Sequence, residues 1–182
     1  MCLLYTLFFV YINLKGCQMI ENQEVFEAVR RGYGDLSNAT DDEVVDYFAD
    51  IDDESWSGHM SNIKGVLFEQ EYVDKLEEEG VEAALFEHTN HPDTDIQIFE
   101  DGSVVEELQL KATDSASYIN STLTENQDIA IVATTEVASG FDTNMVIDSG
   151  ISDAVVEEAI VDSLVPVTPF GFGWGLLFGL PF

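Results

Sequence analysis

The spacing of apolar and polar residues predicts a helical first part of the chain. Apolar residues recur at helical intervals within residues 19–36, MIENQEVFEAVRRGYGDL, and predict an amphipathic helix there. Thr40 and Glu43 stand at the spacing of a capping box, which predicts a second short helix over about residues 41–50. The polar stretch that follows, residues 51–62, predicts a linker.

Beyond the linker, the pattern predicts helices and strands in alternation. A helix begins at Ile63 and ends at Gly80, because glycine commonly terminates helices. The dipeptide Asp101-Gly102 is a hairpin-turn signal, so two antiparallel strands should meet there. The remaining predicted elements are strands at about 81–87, 95–99 and 103–112, a helical or loop segment at 114–124, a buried strand at 129–137 and a helix over 152–164 capped by Ser152. This order predicts one α/β domain.

The two ends of the chain differ from the rest. Residues 1–18 form an apolar extension, which predicts either a translation start at Met19 or a weak signal or anchor. Residues 165–182 are hydrophobic, aromatic and rich in glycine, which is typical of the first part of a membrane-inserting region in a truncated protein. The expected organisation is therefore this extension, a helical appendage with its linker at 19–58, the α/β domain at 59–164 and the tail. We expect a cytoplasmic protein that associates with a membrane through the tail.

The charge balance limits the choice of partners. With 36 Asp and Glu against 6 Lys and Arg, the formal net charge is -30, which disfavours a polyanionic partner such as nucleic acid. A salty interior is an alternative explanation, since at molar salt the Debye length is roughly 3 Å and such repulsion is short-ranged. Cys2 and Cys17 are the only cysteines, so neither a disulfide framework nor a structural zinc is indicated.

The predicted strand at 103–112 carries Lys111, one of only six cations in the chain. Side chains alternate along a strand, so Glu107, Gln109 and Lys111 share one face. Asp95 opens the preceding strand, and a hairpin would bring it beside Gln109. Oxygen ligands of this kind hold Mg²⁺ in metal-assisted phosphodiester cleavage, where a lysine places or deprotonates the attacking water. These residues therefore predict a phosphodiester-cleaving site.

The segments KGVLFEQEYVDKL, TDIQIF and EELQLKAT resemble the core of the PD-(D/E)XK restriction-endonuclease-like superfamily, from about Ile63 to Val137. The archaeal Holliday-junction resolvases have a similar order of elements. The resemblance implies a mixed central sheet flanked by helices. In that family, a helix carries a glycine followed four residues later by a supporting glutamate, as Gly65 and Glu69 do here.

The resemblance also implies roles for the candidate residues. Asp95 corresponds to the aspartate that opens the second core strand, and the (D/E)XK triplet falls on Gln109, Leu110 and Lys111. Glu69, Asp95 and Gln109 would then hold Mg²⁺ or Mn²⁺, with Lys111 beside the attacking water. Gln109 departs from the usual acid and offers a neutral oxygen, which should weaken the metal site.

The function implied is a divalent-metal-dependent endonuclease that hydrolyses phosphodiester bonds of DNA. The alternative is a catalytically inactive module of the same fold, carried on a membrane-associated protein and binding a protein partner. A third class, an acidic DNA mimic, rests on charge alone. Two site assignments also stay open: Glu71 could replace Glu69, and His88, His91 and Asp93 could form a separate metal site.

Overall fold

The computed structural model describes residues 19–86 and 93–165, which form a mixed α/β structure with helices on both faces of one sheet. This confirms the predicted α/β class. The N-terminal extension at 1–18, residues 87–92 and the tail from residue 166 onward lie outside the described residues. Within the described ranges, no helix has both the length and the apolar content needed to cross a membrane.

The described residues contain six α-helices, five strands and one turn of 3-10 helix at Gly34–Leu36. The helices are α1 (Asn22–Gly32), α2 (Asp41–Ala49), α3 (Asp53–Glu78), α4 (Ala116–Glu125), α5 (Thr135–Ala138) and α6 (Asp153–Leu164). The strands are β1 (Glu82–Leu85), β2 (Ile96–Glu100), β3 (Ser103–Lys111), β4 (Ile131–Ala133) and β5 (Val146–Asp148).

The sheet has the strand order β1-β2-β3-β4-β5. The first three strands are antiparallel, whereas β4 and β5 continue parallel to β3. The hairpin between β2 and β3 turns at Asp101 and Gly102, whose φ angles are 51° and 74°. Two successive left-handed residues match the twist of paired strands, and aspartate followed by glycine tolerates this conformation best. The predicted hairpin is confirmed.

The largest departure from the predicted elements is the absence of a linker before the third helix. α3 is 26 residues long and begins at Asp53, with the side chain of Asp52 accepting a hydrogen bond from the Ser55 N–H at 2.9 Å. Trp56 lies in the first turn and is buried against Phe48 of α2. Its burial stabilises a helical turn that local polarity alone would not predict. The prediction of a linker over 51–62 was therefore wrong.

Two hydrophobic clusters cover the faces of the sheet. The larger one joins α1, α2, α3 and α6 to one face, where it includes Ile96, Leu108, Leu110 and Val132. The smaller one joins α4 and α5 to the other face around Ile131. The segment 19–58, which sequence composition sets apart, thus contributes apolar side chains to the same core as the sheet.

The last part of the sheet differs from the sequence prediction in detail. The apolar run at 129–137 was predicted as one strand, but only Ile131–Ala133 is extended and Thr135–Ala138 is a short helix. The edge strand β5, Val146–Asp148, was not predicted. A strand of three residues shows no alternation that sequence can reveal, so its pairing with β4 depends on the fold.

Gly150 is expected to be the most sensitive glycine in the described core. Its φ is +71°, and a Cβ at this position would lie 2.6 Å from the Lys75 Nζ, which donates a hydrogen bond to the Ser149 carbonyl. Gly150→Ala should lower the free energy of unfolding by about 2 to 3 kcal/mol, through left-handed strain and loss of that charged hydrogen bond. Urea unfolding monitored by circular dichroism measures the change.

The matched control for this substitution is Gly58→Ala. Gly58 lies within α3, and a Cβ there would meet no atom within 4 Å. Because alanine favours a helix over glycine, this variant should gain about 0.5 to 1 kcal/mol. Equal stability of the two variants would contradict the assigned role of Gly150.

Candidate active site at the fork of the sheet

The candidate residues lie where β3 exchanges one neighbouring strand for another. From Ser103 to Leu108, β3 pairs with β2 on one edge, and from Gln109 to Lys111 it pairs with β4 on the opposite edge. The Gln109 N–H accordingly donates to the carbonyl of Ala130 just before β4. Past Leu108, the edge of β3 that faces β2 therefore has no backbone partner in the sheet. We call this point, where β3 leaves β2 and begins to pair with β4, the fork.

Asp95 closes this fork from the β2 side. Its backbone N–H donates to the Leu108 carbonyl at 2.9 Å, and its Oδ2 accepts the Leu110 N–H at 2.7 Å. The carboxylate thus takes the place of a strand partner for a backbone donor that would otherwise be unpaired. These two bonds flank Gln109 and fix Asp95 beside it, as the predicted hairpin requires.

Lys111 reaches the same carboxylate. Its Nζ lies 3.8 Å from Asp95 Oδ2, and both side chains are about four-fifths buried, at 19% and 18% exposure. A partly buried ion pair is screened less by solvent than a surface pair, so this contact orients both groups. The lysine that stands out in the sequence is therefore placed at the fork, next to the aspartate with which it was predicted to act.

Glu69, from the middle of α3, shares the electrostatic environment of this pair. Burial, and to a smaller extent the negative charge of Asp95, raise its pKa to about 8, whereas the charges of Arg31 and Lys111 oppose the rise. Glu69 is thus close enough to Asp95 and Lys111 for their charges to influence its protonation. The structure brings Asp95, Gln109 and Lys111 together at the fork, and Glu69 is linked to Asp95 and Lys111 through its electrostatic environment.

Gln109 is buried, with 8% of the residue exposed, and its Oε1 has no hydrogen-bond partner. A buried amide oxygen without a partner costs roughly 1 to 3 kcal/mol. Such an atom is therefore retained only where another group compensates for it, and a hydrogen-bond donor or a cation would do so. The orphaned oxygen belongs to the residue between the two backbone atoms that Asp95 binds.

The donor set fits a hard divalent cation. Mg²⁺ and Mn²⁺ prefer oxygen, and the carboxylates of Glu69 and Asp95 together with the amide oxygen of Gln109 supply it. A cation would also offset the repulsion that raises the pKa of Glu69 and would satisfy the oxygen of Gln109. Across residues 19–86 and 93–165, no group of three or more His, Cys, Asp or Glu side chains is placed to hold a metal ion. The candidate set has only two carboxylates, and its third oxygen comes from an amide.

Arg31 is the member of this neighbourhood that sequence reasoning missed. It lies in the last turn of α1, and its Nη2 donates to the Phe86 carbonyl at 2.5 Å, directly after β1. Its charge lowers the pKa of Glu69. The available signal was its rarity: the pair Arg30 and Arg31 accounts for a third of the six cations in the chain.

The other sequence candidates have a smaller part in the described site. Glu71 is buried on α3, and the contacts described above do not include it. A Cβ at Gly65 would meet no atom within 4 Å, so packing does not require glycine there. His88 and His91 lie outside the described residues.

The fold and the fork together define a mixed α/β protein with a partly buried cluster of acids, an amide and two cations at the edge of a five-stranded sheet. No family model, curated protein or solved structure matches this chain.

Proposed function

We propose that this protein is a divalent-metal-dependent endonuclease of the PD-(D/E)XK type that hydrolyses phosphodiester bonds of DNA. The observation that carries the proposal is the ion pair of Asp95 and Lys111 at the fork of β3, within the electrostatic reach of Glu69. The order of a long helix, three antiparallel strands, a helix and a parallel strand supports it, because the superfamily that the sequence resembles has a similar order.

Each residue has a distinct role in the proposed reaction. Glu69, Asp95 and Gln109 would hold Mg²⁺ or Mn²⁺, which when bound lowers the pKa of coordinated water and offsets charge on the phosphate. Asp95 is already oriented by the Leu110 N–H, so little reorganisation is needed. Lys111, held beside Asp95, would orient the attacking water and stabilise the developing negative charge.

The net charge of -30 restricts the conditions for this reaction. A surface of this sign repels DNA over roughly a Debye length, about 10 Å at 0.1 M salt and about 3 Å at 1 M. Two of the few cations, Arg31 and Lys111, lie close enough to Glu69 to lower its pKa. DNA would therefore bind and be cleaved best at high ionic strength, where salt screens the repulsion between the protein surface and the DNA but local contacts remain.

The test is cleavage of supercoiled plasmid and branched DNA by the full chain, with Mg²⁺, Mn²⁺ or EDTA, from 0.1 M to 3 M KCl. We expect metal-dependent nicking that increases with salt. Asp95→Asn should reduce the rate at least about 100-fold, because the amide can still accept the Leu110 N–H but loses the ligand charge.

Glu100→Gln is the matched control, since it removes a carboxylate from an exposed position at the far end of β2. It should cleave at the wild-type rate. If the folded wild-type protein cleaves no DNA with either metal at any salt, the endonuclease proposal is wrong. The inactive module that binds a protein partner would then be the better description.

A further inference from the structure

Positive charge is scarce in this protein, so the partners of each cation are informative. Arg31 differs from the other described cations: one N–H binds a backbone carbonyl, and its Nε is buried without a hydrogen-bond partner. The other described cations are occupied: Arg30 by Asp41 and the Ala39 carbonyl, Lys64 by Asp153 and Glu157, Lys75 by the Ser149 carbonyl, and Lys111 by Asp95.

The anchor of Arg31 places its guanidinium at the level of the fork. Leu85, the last residue of β1, pairs with Ile96, the first residue of β2. Phe86, directly after β1, and Asp95, directly before β2, therefore lie at the same end of this pair of strands. Arg31 donates to the Phe86 carbonyl at this end.

The donor geometry favours an anion with several oxygens. Within the described ranges, no carboxylate lies within ion-pair distance of Arg31. The Nε atom is buried, so an anion would contact the terminal N–H groups of the guanidinium that the Phe86 carbonyl leaves available. A guanidinium presents several N–H groups in one plane, and this arrangement matches the oxygens of a phosphate group better than the point charge of a lysine does.

We propose that Arg31 contacts a backbone phosphate of duplex DNA next to the fork of β3. This inference rests on the proposed function and assigns a DNA contact to α1, a helix outside the segment that resembles the nuclease core. Lys111 would act at the phosphate that is cleaved, and Arg31 would hold the DNA in register with it.

The test is equilibrium binding of a fluorescein-labelled 20-base-pair duplex in Mg²⁺ over a series of KCl concentrations. All proteins carry Lys111→Met so that the probe stays intact. Each phosphate contact contributes about -0.9 to the slope of log affinity against log salt for duplex DNA, in addition to the effect of the net charge. Arg31→Gln should therefore make this slope more positive by about 0.9 and weaken binding about tenfold at low salt. Arg31→Lys should keep the slope and recover part of the affinity.

Arg30→Gln is the matched control, because it changes the net charge equally one residue away, where the side chain is held by Asp41. Its slope should equal that of the Lys111→Met background. Long-range effects of net charge cancel in this comparison, and a purely structural role for Arg31 would leave the slope unchanged. Thermal unfolding of each variant establishes that it is folded at the assay temperature.

The outcomes separate this inference from the proposed function. A slope for Arg31→Gln equal to that of Arg30→Gln overturns the role of Arg31, even if the wild type cleaves DNA. Binding with the expected slope change but no cleavage by the wild type supports the contact and refutes the endonuclease. Absence of duplex binding at every salt concentration overturns the role of Arg31, and cleavage by the wild type then decides the endonuclease proposal.

Discussion

Replacing Lys111 with methionine is expected to lower the rate of metal-dependent DNA cleavage about 1000-fold. Methionine preserves most of the side-chain volume but removes the ammonium group that lies 3.8 Å from Asp95. Loss of one group that stabilises charge in the transition state typically lowers the rate about 10²- to 10³-fold, and our figure is the upper end of that range. The measurement is single-turnover cleavage at saturating metal, so that effects on substrate binding do not enter the rate.

The control for this variant is Glu106→Gln on the same strand. Glu106 is exposed on the part of β3 that pairs with β2, away from the fork, and its replacement should leave the rate within about twofold. A Lys111→Met rate within tenfold of the wild type would contradict the assigned role. Wild-type activity without any Lys111 dependence would place the reaction elsewhere in the chain.

Glu69→Gln is expected to stabilise the metal-free protein at alkaline pH by about 3 to 4 kcal/mol. The pKa of Glu69 is about 8 in the folded state, against an ordinary value of 4.5. At about 1.4 kcal/mol per pKa unit, this difference corresponds to roughly 4 to 5 kcal/mol, and partial solvent access reduces it. Glutamine keeps the shape and has no charge to bury.

The sign of the pH dependence follows from proton binding. Between pH 4.5 and 8, the folded state holds a proton on Glu69 that the unfolded chain releases. The stability that this proton provides is therefore complete below pH 4.5 and is lost as the pH rises through 8. Wild type and Glu69→Gln should be equally stable at pH 4, and they should diverge most at pH 9.

Urea unfolding in EDTA at several pH values, at constant ionic strength, measures this difference. Glu77→Gln is the matched control, because it removes one negative charge from an exposed position of the same helix. It should show no comparable divergence. Parallel pH profiles for wild type and Glu69→Gln would mean that Glu69 is not held in a buried, acidic environment.

Added Mg²⁺ should stabilise the wild type most at pH 9, where the carboxylate of Glu69 is ionised.

The elements that were predicted correctly are those with strong local signals. Thr40 and Glu43 form the expected capping box at the start of α2, and the side chain of Ser152 caps α6. Asp101 and Gly102 adopt left-handed conformations that few other pairs of residues tolerate, so these two residues were enough to predict the hairpin. Alternation along β3 also indicated that Gln109 and Lys111 share a face.

The candidate residues were selected from the sequence, but their arrangement was not. The residue pattern indicated Asp95, Gln109 and Lys111, the resemblance to the nuclease core added Glu69, and their catalytic role stays a prediction. Their closeness depends on α3 packing against the sheet and on β3 exchanging β2 for β4 at Gln109. Neither relation has a local signature, because each joins residues that are far apart in the chain.

What the sequence by itself determined is the set of elements that local physics enforces: the caps, the hairpin and the amphipathic helices. Tertiary structure alone decided that 51–62 is helical, since burial of Trp56 outweighs its polar neighbours, and that Val146–Asp148 becomes a strand beside β4. It also decided that Arg31 reaches the fork, because only the packing of α1 against α3 brings its side chain to Phe86. Burial and pairing energies are set by distant residues, and a one-dimensional pattern does not contain them.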